Sequence, residues 1–205
     1  MSASSPTKED LIQQQILTAA KRLFQVHGLA KVTMDDVAKA IDKGRSSIYY
    51  YYKSKDEIFD AVVMIEIHEM LTAMTRAVDQ ASGIEQKFRA FFLTKLEVLR
   101  EKRAFFKMLD VGMDADALSN FQKTKIVHHN LIIKQESTLL EQVLTEGMKK
   151  GELRKMSASE MKMLILVLLS SLRGLKRELE LENASGKVVP AVDTFTRLAM
   201  YGMKR

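Results

Sequence analysis

Five times along this chain a Ser or Thr is followed three residues later by Asp or Glu: Thr7 with Asp10, Thr33 with Asp36, Ser54 with Glu57, Ser82 with Glu85, and Ser157 with Glu160. Each pair precedes apolar residues repeating with helical period. At such a position the hydroxyl accepts from the backbone N–H three residues on, and the acid answers the cap while meeting the positive helix end. One match means little, but five in step with the apolar pattern predict a chain divided into helices. Gly28, Gly112, Gly147, Gly151 and Gly186 are the expected stops. Two prolines and nine glycines in 205 residues are too few turn-makers for a β-sandwich or barrel, and no convincing alternating strand run occurs. The fold class is all-α.

The periodicity predicts a first helix with Leu11, Ile16, Ala19, Ala20, Leu23 and Phe24 inward, then short helices over Met34 to Ala40 and Arg45 to Tyr52. A long helix opens at Lys55 and runs to about Asp79. Others are expected over Ile84 to Glu101, Ala104 to Leu109, Leu118 to Lys150, Ala158 to Glu182 and Val189 to Tyr201. Short helices give way to long ones near Lys53, so the expected domains are residues 1–53 and 54–205. With 46% hydrophobic and 28% charged residues the chain reads as soluble and globular. It has no cysteine, which excludes disulfides, zinc ribbons and thiol catalysis. Met1 to Asp10 is polar and lacks a signal-peptide core, and the most apolar run, Met163 to Leu169, is far short of the ~20 residues of a membrane span. A cytoplasmic protein with no membrane contact is expected.

Residues 1–55 hold nine Lys/Arg and five acids, carrying most of a net charge of +6. Lys43, Arg45, Lys53 and Lys55 fall in a stretch with no acid at all. A lone basic cluster is usually a solvated surface. This one surrounds Tyr49, Tyr50, Tyr51 and Tyr52, four of the chain's five tyrosines. On a helix Ile48 and Tyr52 share one face, towards Val37, Ile41 and Phe24, while Arg45, Ser46, Tyr49, Tyr50 and Lys53 spread over the other side. A globular core has no use for exposed tyrosines between cations. DNA does: phenol hydroxyls donate to phosphates, cations neutralise them, and Arg pairs bidentately with guanine. Small residues at Ser46 and Ser47 let the helix axis lie close to the groove floor. Two short helices joined by a turn, the second bearing this face, make a helix-turn-helix.

The stretch from Thr33 to Ala40, followed by Gly44 to Phe59 with its Arg45-Ser46-Ser47-Ile48-Tyr49-Tyr50-Tyr51-Tyr52-Lys53 core, closely resembles the N-terminal signature of TetR-family transcriptional regulators. The likeness covers roughly residues 10–62. It implies a homodimer that binds palindromic double-stranded operators and releases them when a small effector enters the C-terminal domain. By resemblance, Thr33 caps the second helix and touches a phosphate, Arg45, Ser46, Ser47 and Tyr49 face base edges, and Tyr50, Tyr51 and Lys55 lie on the backbone. Tyr52 takes the place of a core aromatic. Asp42 departs from the family, which often has Gly in the turn.

In the remaining two thirds, Met161 to Leu172 is apolar nearly all round, so it is buried on more than one side. It is either a central core helix or a helix shared with a partner subunit. With a second stripe at Val188, Val192, Phe195, Leu198 and Ala199 it resembles the family's dimerisation pair, and Leu164, Leu168 and Leu172 on the first helix with Val192, Phe195 and Ala199 on the second are the expected interface. Phe88, Phe92 and Met108, with His68 and His128 as polar groups, are the candidate effector pocket. Ordinary core packing is the competing reading. No His-Glu-x-x-His, Gly-x-Ser-x-Gly, Walker loop or Gly-x-Gly-x-x-Gly occurs, and His128 and His129 point about 100° apart on a helix, so no enzyme, metal site or cofactor is expected. The rival functions are a constitutive DNA-binding protein and a helical carrier.

Overall fold

The computed structural model describes residues 7–109 and 111–204; the first six residues of the polar N-terminus lie outside it. The described residues form nine α-helices and one 3-10 turn: α1 (Lys8–His27), α2 (Met34–Ala40), α3 (Arg45–Tyr51), α4 (Lys55–Gln80), α5 (Ile84–Glu101), α6 (Arg103–Met108), α7 (Ala115–Lys150), α8 (Ala158–Leu181) and α9 (Val188–Met203). The helix starts follow the caps at three of the five expected boxes. Thr7, Thr33 and Ser157 each accept from the backbone N–H three residues on, and each acid accepts back from the cap residue. Ser54 Oγ also accepts from the Glu57 N–H at 3.2 Å, but the Glu57 carboxylate takes the Lys53 N–H instead of that of Ser54. At α5 the expected partners are engaged elsewhere. The Ile84 N–H donates to Glu152 at 3.1 Å, and Glu85 binds Lys204 at 2.8 Å.

The chain divides into two compact units. The first comprises residues 7–67, 102–109 and 111–128, thus α1 to α3, the first part of α4, α6 and the start of α7. Its core holds Ile16, Phe24, Val37, Ile48, Ile58 and Phe59, all nearly or wholly buried. Phe59 meets Phe24 edge-on at 6.0 Å and Phe121 at a tilt at 5.7 Å. At Gly28, which ends α1 with φ of +79°, a Cβ would stand 3.0 Å from Val111 O and 3.1 Å from Met108 O. Glycine is needed there for both the left-handed backbone and the close approach of α6. Glu66, on α4, is buried between Lys21 of α1 and Lys102, so the one buried carboxylate among the unit's described residues is doubly paired.

The second unit comprises residues 68–101 and 129–204, with α5, α8, α9 and the larger part of α7. Phe88, Phe91, Phe92, Leu140, Leu144, Leu168, Leu172 and Val192 fill its core. α5 packs along α9, pinned by Arg89 to Asp193 at 2.6 Å and by Phe92 against Phe195 at 4.8 Å. Gly147 lies inside α7 and stops nothing. A Cβ there would come within 2.7 Å of Leu153, so its smallness seats the turn after the helix. Met163, Leu166 and Val167 on α8, and Leu198 and Tyr201 on α9, are exposed. Among the described residues no helix is long and apolar enough to cross a membrane.

Candidate nucleic-acid interface

The scaffold of the interface is α2, the turn after it, and α3. Thr33 Oγ1 accepts from the Asp36 N–H at 3.2 Å, and Asp36 Oδ2 accepts from the Thr33 N–H at 2.9 Å. The Thr33 hydroxyl, donating to Asp36 Oδ2 at 2.7 Å, and after it the Thr33 N–H hold the Asp36 carboxyl below its ordinary range. They fix α2 at its first turn while Val37 and Ala38 bury its other face. The turn closes on Ala38 O, which accepts from Ile41 N at 3.2 Å and Lys43 N at 3.0 Å. Asp42 adopts φ of +52°, the left-handed conformation for which Gly is the cheaper residue, and Asp is among the few others that visit it routinely. The departure from Gly therefore leaves the turn's shape intact.

α3 sorts its side chains by angle. Ile48 is wholly buried and Tyr52, just past the helix, is nearly so, which anchors the helix in the unit's core. Burial raises the Tyr52 phenol above its usual pKa. Tyr49 and Tyr51 are half-buried, and Tyr50 is 68% exposed. Tyr51 packs edge-on with Tyr50 at 4.9 Å, and its pKa is raised by desolvation and then by Glu9 and Tyr50. A phenol held protonated remains an O–H donor, the form that suits a phosphate oxygen.

Arg45 opens α3 with its guanidinium largely in solvent. It donates to Tyr49 OH at 3.2 Å, lies over the Tyr49 ring at 5.3 Å, and pairs with Asp35 of α2 at 3.3 Å. Asp35 was not among the residues singled out from sequence, and nothing local signals it, because the pair spans the turn. Lys53 Nζ returns to Tyr49 O at 3.2 Å. Arg45, Ser46, Tyr49, Tyr50 and Lys53 thus lie together on the outer side of α3, with Ser47 half-buried beside them. Lys55 is placed differently. Its ammonium donates to the carbonyls of Leu29 and Ala30 at 2.8 and 3.3 Å, tying the start of α4 to the loop after α1.

The other expected sites are distributed as follows. Phe88 and Phe92 are wholly buried in the second unit and His68 is exposed at its edge; Met108 and His128 belong to the first unit. These five residues are therefore divided between the units. His128 Nε2 lies 3.6 Å from Asp60. Of the residues expected at a subunit interface, Leu168, Leu172 and Val192 are within the chain's own core, Phe195 is packed on Phe92, and Leu164 and Ala199 are half-buried. A side chain already enclosed by its own subunit has no surface left for a second one. The outward faces of the same two helices carry Met163, Leu166, Val167, Leu198 and Tyr201 instead.

Residues 16–62 match the family described as bacterial regulatory proteins, tetR family. The regulator SrpR of Pseudomonas putida is 23% identical over 158 residues, 75% of this chain and 68% of that protein. The transcriptional repressor KstR2 of Mycolicibacterium smegmatis is 21% identical over 154 residues, 75% and 73% of the two chains. Among solved structures, FadR of Bacillus subtilis in complex with stearoyl-CoA superposes with a TM-score of 0.66 at 15% identity, covering 92% of this chain and 98% of that one, which shows a shared fold. The relatives are transcription regulators and not enzymes. With the helix-turn-helix geometry, the family match and these relatives together, the chain is a TetR-family, DNA-binding transcriptional regulator.

Proposed function

We propose that the protein is a homodimeric, cytoplasmic repressor that leaves a palindromic operator when a small apolar or amphipathic effector binds. Residues 1–53 act as the DNA-binding head and residues 54–205 as the effector-binding and dimerisation domain. The observation that carries the reading is the outer side of α3, where Arg45, Tyr49, Tyr50 and Lys53 stand exposed or half-exposed on a helix anchored by Ile48 and Tyr52. On this reading Arg45, Ser46, Ser47 and Tyr49 meet base edges, and Thr33, Tyr50, Tyr51 and Lys53 meet phosphates. Lys55, engaged with the carbonyls of Leu29 and Ala30, supports the head from beneath and adds its charge at a distance.

Repression is the stated role of the relative KstR2, and an acyl thioester is bound by the structural neighbour FadR. The bound acyl chain favours an effector with a long apolar part, and Phe88, Phe91 and Phe92 give the second unit a core suited to one. α4 and α7 each have residues in both units. An effector moves such an equilibrium only by its differential affinity, and a hundredfold preference for the released state supplies about 2.7 kcal/mol.

The test is selection of duplexes from a random pool by the purified protein, followed by titration of the selected duplex with acyl compounds. The expected result is a two-fold symmetric site with half-sites about one helical turn apart, bound with steep salt dependence and released by ligand. A selected site without symmetry, or binding indifferent to every acyl compound, defeats the dimeric or the ligand-responsive part respectively.

A further inference from the structure

The buried polar groups of the second unit, among the described residues, are Lys95, Glu136 and Thr196. Lys95 of α5 and Glu136 of α7 form an ion pair at 2.6 Å, with only 5% and 0% of their side chains exposed. Phe91, Phe92 and Leu96 beside Lys95, and Leu139 and Leu140 beside Glu136, all belong to the apolar core. A pair in such a place is costly to desolvate, and well-packed apolar residues commonly serve folding as well or better. Stability alone gives no reason for it.

The pair is also incompletely matched. Glu136 Oε1 is buried with no hydrogen-bond partner, and so is Nη1 of Arg173 on α8, whose Nη2 donates to Ser170 Oγ at 2.8 Å. Arg173 and Lys176 are close enough to bear on the charge of Lys95, and Lys176 is matched by Glu180 at 3.0 Å. That leaves Lys95 and Arg173 against the single charge of Glu136. Hydrogen bonding leans the same way. The ammonium has three N–H groups and one bond to Glu136, Arg173 Nη1 has none, and the open carboxylate acceptor is Glu136 Oε1, while the unpartnered Thr196 hydroxyl offers one donor as well as an acceptor. Both the charges and the donors are in surplus, so the complement is an anion with several lone pairs.

We propose that Lys95 and Arg173, set against Glu136, anchor the head of the effector, and that the effector is an apolar molecule ending in a carboxylate. This rests on the ligand-responsive reading above and specifies its ligand. The carboxylate accepts from Lys95 and from Arg173 Nη1, and the tail lies among the apolar side chains of α5, α7 and α8. An alcohol of equal length brings one oxygen and no charge, and an acyl-CoA has a thioester where the acid would be.

The test is calorimetric titration of the full-length protein with sodium laurate, 1-dodecanol and lauroyl-CoA, each below its micellar concentration. Laurate is expected to bind at least tenfold tighter than either of the others. In the double variant Lys95→Met, Glu136→Leu, which replaces the pair by apolar groups, that preference is expected to fall to threefold or less. Should the double variant fail to fold, Arg173→Gln carries the test, with laurate weakened at least threefold and dodecanol unchanged. Equal binding of dodecanol or lauroyl-CoA, an unchanged preference in the variant, or no binding of laurate overturns the anchor. Repeating the titration on the DNA complex separates the two readings. Laurate that binds with the predicted preference but leaves DNA bound refutes ligand control and leaves the anchor standing.

Discussion

Leu198→Glu should split the dimer without unfolding the subunit, and Leu168→Glu should do the reverse. Leu198 is 68% exposed on α9, and Tyr201, three residues on, is 90% exposed. Fully burying a leucine is worth about 1.5–3 kcal/mol, so covering the exposed part of Leu198 contributes roughly 1–2 kcal/mol per copy. A two-fold interface uses each residue twice, giving roughly 2–4 kcal/mol per dimer before the cost of seating a carboxylate against apolar residues is added. The variant dimer should then dissociate at least about thirtyfold more readily, since each 1.4 kcal/mol is tenfold. Leu168 is 3% exposed and touches its own core, so a Glu there is paid for in folding. Sedimentation velocity at micromolar concentration, with circular-dichroism melting beside it, reads both effects. A folded, cooperatively melting Leu198→Glu monomer is expected, melting below wild type because association no longer stabilises it. Leu168→Glu should lose helical signal. A dimeric Leu198→Glu beside a folded, monomeric Leu168→Glu would place the interface on the other face and refute the argument.

Arg45→Ala should weaken the selected duplex by about five- to a hundredfold and flatten preference at one base pair, the signature of a lost bidentate contact; fluorescence anisotropy on base-substituted duplexes checks it, and unchanged preference rules out base reading by Arg45. Asp35→Ala should tighten binding severalfold, because the carboxylate that competes for the guanidinium is gone. His128 lies below its ordinary pKa because burial opposes its charge, with Asp60 acting the other way. A base depressed in the folded state leaves the unfolded chain binding the extra proton, so stability is full above the unfolded value of 6.5 and is lost as pH falls below it. Urea melts from pH 7.5 to 5.5 should therefore fall less steeply in His128→Gln, and parallel slopes would discount the residue. Lys95→Met alone should cost ~3–5 kcal/mol by stranding the Glu136 carboxylate, whereas the double change with Glu136→Leu should return to near wild-type stability; equal losses in both would mean that the pair is not coupled.

The local grammar of this chain was legible and its long-range choices were not. A capping box closes within four residues, so Thr7, Thr33 and Ser157 could be read directly. Ser82 could not, because Glu85 pairs with Lys204, 119 residues on, and the first N–H of the helix, that of Ile84, goes to Glu152. The apolar run from Met163 to Leu169 announced a helix covered on two sides. Periodicity cannot say which side its own subunit claims, so Leu168 and Val167 were indistinguishable until the fold buried one and exposed the other. The pair of Lys95 and Glu136 is 41 residues apart and obeys no helical spacing.

The reading helix shows the same division within seven residues. Four consecutive tyrosines must fan around a helix, so the inward place of Tyr52 and the outward place of Tyr50 follow from angle alone. What the angle cannot supply is the state of Arg45 before it meets DNA. In the fold its guanidinium is already directed, by Tyr49 on its own helix and by Asp35 across the turn. An exposed pair of this kind contributes little to stability. It limits the rotamers of a long side chain at small cost, and it yields readily to a base edge that offers two acceptors in the right plane. Asp35 is then both a guide and a competitor. Its removal should tighten binding to every duplex while narrowing the gap between the right base and the wrong one, because a freed guanidinium also reaches phosphates. Anisotropy measured on matched and mismatched duplexes separates these effects: a gain confined to the matched duplex would mean that Asp35 only competes.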